Sequence, residues 1–384
     1  MMSASEPVDP AKSTENLPAL TGVRAYAAIW VMLLHLQYSI GVQGKVDLGP
    51  VIGHGFWAVD VFFVLSGFIL SLTYARRFES GLSLRTYWSY LVARLARIYP
   101  LHVFGIAVLG LYAAATVVTG GIQKLSPGFS LHNLVLNLTL LHGWGYAERL
   151  NWNYPSWSIS TEWFAYLLML PLLASGFRRT PAVVPVAVGL FLWTLLYLTL
   201  HRTDQLIGHQ AVSWSVPRII AEFAIGYGLF RLSRILRPGP RMADALTLAG
   251  TGGIFALCLA PDRAEWLLAP AVCSLLFGLA QTGPLGRLVF ASNTAVYWGE
   301  RSYSIYMLHA IVQVYANAFI LRLHIVTTPR SAAILIATEA LAVLAASALA
   351  YHLVEIPMRR RLREALDRPL VPVMPQRPLQ GRAQ

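Results

Sequence analysis

Charge is scarce in this chain: Asp, Glu, Lys and Arg make up 12% of 384 residues, against 56% hydrophobic residues and a mean hydropathy of +0.55. A soluble globular domain of this length does not look like that, so one is excluded. Cysteine is limited to Cys258 and Cys273, both in apolar stretches. They read as two small core residues, which argues against a disulfide framework and leaves the redox compartment unread. No metal-ligand spacing is present, so no metal is expected. Acidic residues are also few, 18 against 30 basic ones, giving a net charge of +12. A charged membrane leaflet accounts for that excess without nucleic acid as a partner. The first eighteen residues lack the basic region, short apolar core and small-residue cleavage site of a signal peptide, and read as a short polar tail. No internal repeat is visible.

What is there instead is a series of apolar windows near 19–42, 54–75, 98–119, 156–174, 181–200, 214–231, 243–260, 266–281, 302–323 and 331–354. The expected fold class is therefore all-α: a polytopic integral membrane protein with about ten transmembrane helices, the window at 266–281 being short enough to be re-entrant. Basic residues set the orientation, because Lys and Arg accumulate in cytoplasmic loops. With the N-terminus inside, 21 of the 30 lie in cytoplasmic segments, 6 lie opposite, and Arg24, Arg218 and Arg322 fall inside spans. Both termini are then cytoplasmic. The expected division is a tail at 1–18, one membrane domain at 19–356 and a basic tail at 357–384.

Ionisable residues inside such windows are costly and mark function. Arg24 and His35 lie eleven residues apart in the first window, which returns both to one helix face about 16 Å apart. Asp60 falls about two turns into the second window, and Glu162 about two turns after the helix start marked by Pro155. Counted from the outer surface, both carboxylates share the depth of His35. Two carboxylates and a histidine at one level suit a general base, the carboxylates holding the imidazole in its proton-accepting tautomer. The simpler reading is that each carboxylate is satisfied within its own helix.

At the other end, Arg94 and Arg97 are three residues apart on one face of the third helix, a spacing that suits a diphosphate, with Arg24 as a third positive group. Ordinary positive-inside topology competes with that reading. Arg218 and Glu222, four apart, are expected to pair with each other. His309 could touch an anionic ligand at the inner face, or simply pack among Tyr306, Met307 and Leu308. Trp144, Trp152, Trp157 and Trp163 read as an interfacial belt.

These segments, in this order, resemble the acyltransferase 3 family of integral membrane acyltransferases, from about Leu17 to Arg361. The resemblance rests on Leu20-Thr21-Gly22-Val23-Arg24 followed by His35; on the run from Val59-Asp60 to Ser66-Gly67-Phe68; on Arg94-Leu95-Ala96-Arg97-Ile98-Tyr99-Pro100; and on Trp157-Ser158-Ile159-Ser160-Thr161-Glu162. Later echoes are Arg218 to Gly226, Gly299 to Tyr306 with His309, and Val354-Glu355-Ile356-Pro357. The resemblance implies that His35 is the essential catalytic histidine, that Arg24, Arg94 and Arg97 help hold the acyl donor, and that Glu162 belongs to the same site. It also implies an O-acyltransferase of the cytoplasmic (inner) membrane, moving an acyl group, acetyl in the first instance, from acyl-coenzyme A to a hydroxyl of a carbohydrate. Exopolysaccharide or lipopolysaccharide sugars are the first expected acceptors and a macrolide-type small molecule the second. Some members of the family carry a fused hydrolase-like domain; the absence of one here implies a stand-alone enzyme or a separate partner such as polysaccharide assembly machinery. Asp60 is carried as a second candidate orienting group and His309 as a further donor contact.

A carrier or flippase of acyl groups or lipid-linked sugars would use the same intramembrane residues. Against it, no paired Gly- or Pro-interrupted spans are seen. Within enzymes, neither Gly-x-Ser-x-Gly nor the His and Asp separated by four residues of soluble acyltransferases is present.

Overall fold

The computed structural model describes residues 17–79, 81, 83–120, 125–147, 152–202, 213–260, 262–281 and 283–366. Most of the expected terminal tails, and parts of the loops near 120–153 and 201–214, lie outside the described residues. Within them all regular structure is helical, the form that lets an apolar segment satisfy its own backbone without water.

Each of the ten apolar windows falls on a helix. They are α1 (Pro18–Leu36), α2 (Ala58–Glu79), α3 (Leu84–Gly120), then, after the short α4 (Leu131–Leu138), α5 (Trp157–Phe164) continuing through a π-turn into α6 (Leu170–Gly176). There follow α7 (Val183–His201), α8 (Ser215–Ile235), α9 (Pro240–Cys258) and α10 (Leu268–Ala280). After the short α11 (Pro284–Phe290) and α12 (Asn293–Glu300) come α13 (Ser302–Arg322) and α14 (Pro329–Ala350), which a further π-turn joins to the basic α15 (Ile356–Leu366). Seven of these helical stretches are long and apolar enough to cross a membrane, or eight if α10 and α11, bent by 98° at their junction, act as one. Four charged residues keep α8 below that mark. In α9, Arg241, Asp244 and the run Gly250-Thr251-Gly252-Gly253 do the same. The third helix begins fourteen residues before its apolar window, so Arg94 and Arg97 sit well inside α3 rather than at its mouth.

The first helix is the hub. It packs against α2, α10, α11, α12, α13 and α14, and its buried side carries Leu20, Val23, Ala27, Ala28, Val31 and Met32. Helices in lipid approach closely through small residues, and α2 meets α8 in this way. A methyl group added at Gly226 would stand 2.0 Å from the Val64 carbonyl oxygen, and one at Gly67 would stand 2.4 Å from that of Phe223. The same helix pair is pinned by charge: Arg218 donates from Nε and Nη2 to the two oxygens of Asp60, at 2.9 and 2.6 Å, with both residues buried. Glu222 stands 3.8 Å from the same guanidinium. The pairing read from the four-residue spacing is therefore secondary, and the fork-to-fork pair reaches across 158 residues. Trp157 is not interfacial either: it is buried beside Phe63, and Arg218 lies over its ring.

Two outcomes follow from this packing. Gly226→Ala should force α2 and α8 apart at a cost of about 1–3 kcal/mol, lowering the thermal midpoint of the detergent-purified protein; an unchanged midpoint would contradict the close approach. Asp60→Asn should cost about 3 kcal/mol, because it strips a buried guanidinium of its main counter-charge. The measurement is denaturant unfolding followed by tryptophan fluorescence.

Candidate active site

Along α1 the two ionisable residues open onto different surroundings. Arg24 lines a cavity with Arg94 and Arg97 of α3, Ser66 of α2, Glu162 of α5, Tyr166 of the π-turn and Tyr303 and Tyr306 of α13, with about 120 Å³ that water-sized molecules can enter. Each guanidinium is held differently. Arg97 pairs with Glu355, whose other oxygen accepts from Ser304 Oγ at 2.8 Å, and it lies over the Tyr303 ring. Arg94 donates to the Tyr74 hydroxyl at 3.3 Å, leaving its buried Nε without a partner. Arg24 makes no hydrogen bond or ion pair among the described residues and has Glu162, Tyr166 and Arg94 as electrostatic neighbours. Glu162 accepts from Ser66 Oγ. Three guanidiniums against Glu162 in the wall and Glu355 behind Arg97 leave one positive charge unmatched. Such a cavity suits an anion.

Local backbone geometry shapes this cavity. The π-turn at Ala165–Met169 begins three residues after Glu162, and another, at Tyr351–Glu355, ends on the partner of Arg97. Insertions of this kind recur at functional sites because one extra residue re-aims the side chains of a turn.

His35 lies at the other end of α1, in its last turn. Its Nδ1 is 2.9 Å from the carbonyl oxygen of Val31 and 3.1 Å from Nε2 of His309, and the two rings stack at 4.9 Å. A carbonyl can only accept, so the proton sits on Nδ1, where it is shared with His309 Nε2. In the neutral ring, Nε2 then holds a lone pair. That is the tautomer of a general base. Tyr154 flanks the pair, its ring 5.0 Å from that of His35. Between cavity and pair stands Tyr306: it lines the cavity, its ring is 5.9 Å from His309, and its hydroxyl accepts from Ser158 and donates to the Pro155 carbonyl.

The seven residues singled out by sequence are thus distributed differently from the expectation. Arg24, Arg94 and Arg97 do converge, and His35 stands apart from them as read. Glu162 belongs with the arginines, not beside His35. Asp60 is consumed by Arg218. His309, read as a donor contact, meets His35 instead. The depth count failed for the carboxylates because rise along a helix gives height but not direction, and both side chains point to cationic partners. Several neighbours were not singled out at all: Tyr154, Gln313, Ser39 and Glu339 around His35, and Tyr306. Of these only Glu339 carries a sequence signal, as the sole acid of α14. A second histidine pair, the buried His102 and His142, stacks at 5.8 Å and is tied to the Asn137 carbonyl and Ser156 Oγ.

A family model described as an acyltransferase domain matches residues 17–348. Among curated proteins, the chain is 28% identical over 326 residues to Acyltransferase MdmB of Streptomyces mycarofaciens, covering 79% of this chain and 80% of that one. It is 24% identical over 323 residues to Peptidoglycan O-acetyltransferase OatA of Listeria monocytogenes, covering 77% of this chain and 49% of the relative. It is also 31% identical over 121 residues to Protein 2 in picA locus of Rhizobium radiobacter, covering 32% of this chain and 56% of that one. No solved structure matches. The family match spans most of the described bundle, including both ends of α1, and the chain accordingly belongs to the acyltransferase 3 family: it is a multi-pass membrane acyltransferase.

Proposed function

We propose that the protein is an O-acyltransferase of the cytoplasmic membrane that carries an acyl group, acetyl first of all, from acyl-coenzyme A on the inner side to a carbohydrate hydroxyl on the outer side. The observation that carries this reading is the separation, along one helix, of a guanidinium-lined cavity from a histidine with a free Nε2. The distribution of basic residues, 21 against 6, favours cytoplasmic termini, ten spans and an inner position for the cavity. Arg24 and Arg94, with unused donors, meet the donor's phosphates, while Arg97 shares its charge with Glu355. The thioester arm passes Tyr306 toward His35.

At His35 the acceptor oxygen attacks the thioester carbonyl as its proton moves to Nε2. Collapse of the tetrahedral intermediate breaks the carbon–sulfur bond, and the proton on Nε2 passes to the departing thiolate, so the base is regenerated. Throughout, the Nδ1–H stays on the Val31 carbonyl and His309, which keeps the ring from turning. Sugars of a surface polysaccharide are the proposed acceptors, delivered by separate polysaccharide assembly machinery.

His35→Ala should abolish acylation while leaving folded protein in the membrane, as scored by mass spectrometry of surface glycans; undiminished acylation would end the assignment. Arg24→Gln, which breaks no hydrogen bond or ion pair among the described residues, should raise the KM for acetyl-coenzyme A by about 10- to 100-fold, the worth of one charge-assisted hydrogen bond. Initial rates of thiol release against donor concentration measure this, and an unmoved KM would take Arg24 out of donor binding.

A further inference from the structure

His35 is approached from three sides, and two of the approaches come from one helix face. His309 and Gln313, four residues apart on α13, touch the His35 ring and the His35 carbonyl respectively. The Gln313 amide donates from Nε2 to His35 O at 2.6 Å and to Ser39 Oγ at 3.2 Å, while its Oε1 accepts from the Tyr154 hydroxyl at 3.1 Å. Tyr154 in turn packs its ring against His35. Ser39 donates to Oε2 of Glu339 at 2.8 Å. Ser39, Gln313 and Glu339 are all buried.

The directions of these bonds are not free. A carboxylate only accepts, so Ser39 must donate to Glu339 and can receive only from Gln313. The Gln313 NH₂ must then face Ser39 and His35, and its oxygen must face Tyr154, whose hydroxyl must donate. Reversing the amide would set an oxygen against the His35 carbonyl. Glu339 thereby reinforces, through Ser39, the orientation that the His35 carbonyl requires of Gln313.

We propose that Gln313 is a positioning residue for His35, and that Glu339 acts through Ser39 to hold Gln313 in its working orientation. The proposal rests on the reading of His35 as the base. It explains why a carboxylate is kept in the otherwise apolar middle of α14, at a cost that gluing helices together would not require: a neutral side chain can hold Ser39, but it does not set the direction of the chain. It also explains what secures the last turn of α1, where a helix otherwise frays.

The test uses the full chain in detergent, acetyl-coenzyme A as donor and the de-O-acylated surface polysaccharide of the source strain as acceptor. Gln313→Leu should lower kcat about 100-fold, as expected of a small misplacement of a reacting group, with the donor KM within about twofold. Glu339→Gln, which keeps size and shape, should lower kcat about tenfold, and the double variant should be no slower than Gln313→Leu alone, because the two act on one chain. If the network only glues helices, kcat per folded molecule stays at the wild-type value while the thermal midpoint falls, and the proposal is overturned. Should Gln313→Leu not fold, a wild-type kcat in Glu339→Gln overturns it equally. His35→Ala run alongside separates the two readings: activity there removes the base assignment, whereas an inactive His35→Ala beside a fully active Gln313→Leu removes the positioning role alone.

Discussion

An ion in an apolar bundle must find a counter-charge or a set of donors, since desolvation alone costs several kcal/mol per charge. This constraint sorts the ionisable residues of the chain. Asp60 and Arg218 answer each other in a two-bond fork, with Glu222 at its edge, at the contact between α2 and α8. Arg97 is answered by Glu355. Arg24 and Arg94 are not answered to the same degree: one has no bonded partner among the described residues, the other a single tyrosine hydroxyl and a buried Nε left over. The paired charges hold helices together, although Arg218 Nη1 and both Glu222 oxygens are left without a hydrogen-bond partner. Arg24 and Arg94 face the cavity, and it is there that an anionic ligand would complete them.

The same constraint makes sense of a histidine, rather than a carboxylate, beside His35. A general base needs its far nitrogen fixed in the protonated state, and a carboxylate commonly does this. Here the Val31 carbonyl and His309 Nε2 perform that task without adding a negative charge. The nearest buried acid in the bonded network, Glu339, is kept three hydrogen bonds away, where it can order the intervening dipoles. Charge is thus held off from His35 while direction is passed to it.

Much of this was legible before the structure. Each of the ten apolar windows falls on helix, with seven helical stretches, or eight with the bent pair, long and apolar enough to cross a membrane, and the eleven-residue spacing of Arg24 and His35 separates two environments as helix rise requires. The three-residue spacing of Arg94 and Arg97 does bring them to one cavity. What could not be read is direction across helices. Arg218 has Glu222 one turn away, so spacing favoured the local pair, yet the better geometry belonged to Asp60 on a helix remote in sequence. Glu162 is expected at the depth of His35 and instead meets Ser66 and the arginines. Gln313 and Ser39 carry no charge and break no pattern, so nothing in a single sequence distinguishes them from any polar residue in a span. Glu339 did break a pattern, as the only acid of α14, and buried acids in membrane helices are informative for that reason.

The separation of the two ends along α1 places a demand on what lies between. Arg24 and His35 are about 16 Å apart by helix rise, a gap that, under the proposed function, a flexible arm would have to bridge through a packed bundle. Tyr306 stands in the gap, lining the cavity on one side and meeting the His309 ring edge-to-face on the other. Its hydroxyl is held by Ser158 and the Pro155 carbonyl, at the start of the helix that carries Glu162. Side chains of the cavity wall and the neighbours of the histidine pair are therefore joined through one tyrosine. An arm that displaced this ring would disturb both the cavity wall and the surroundings of His309.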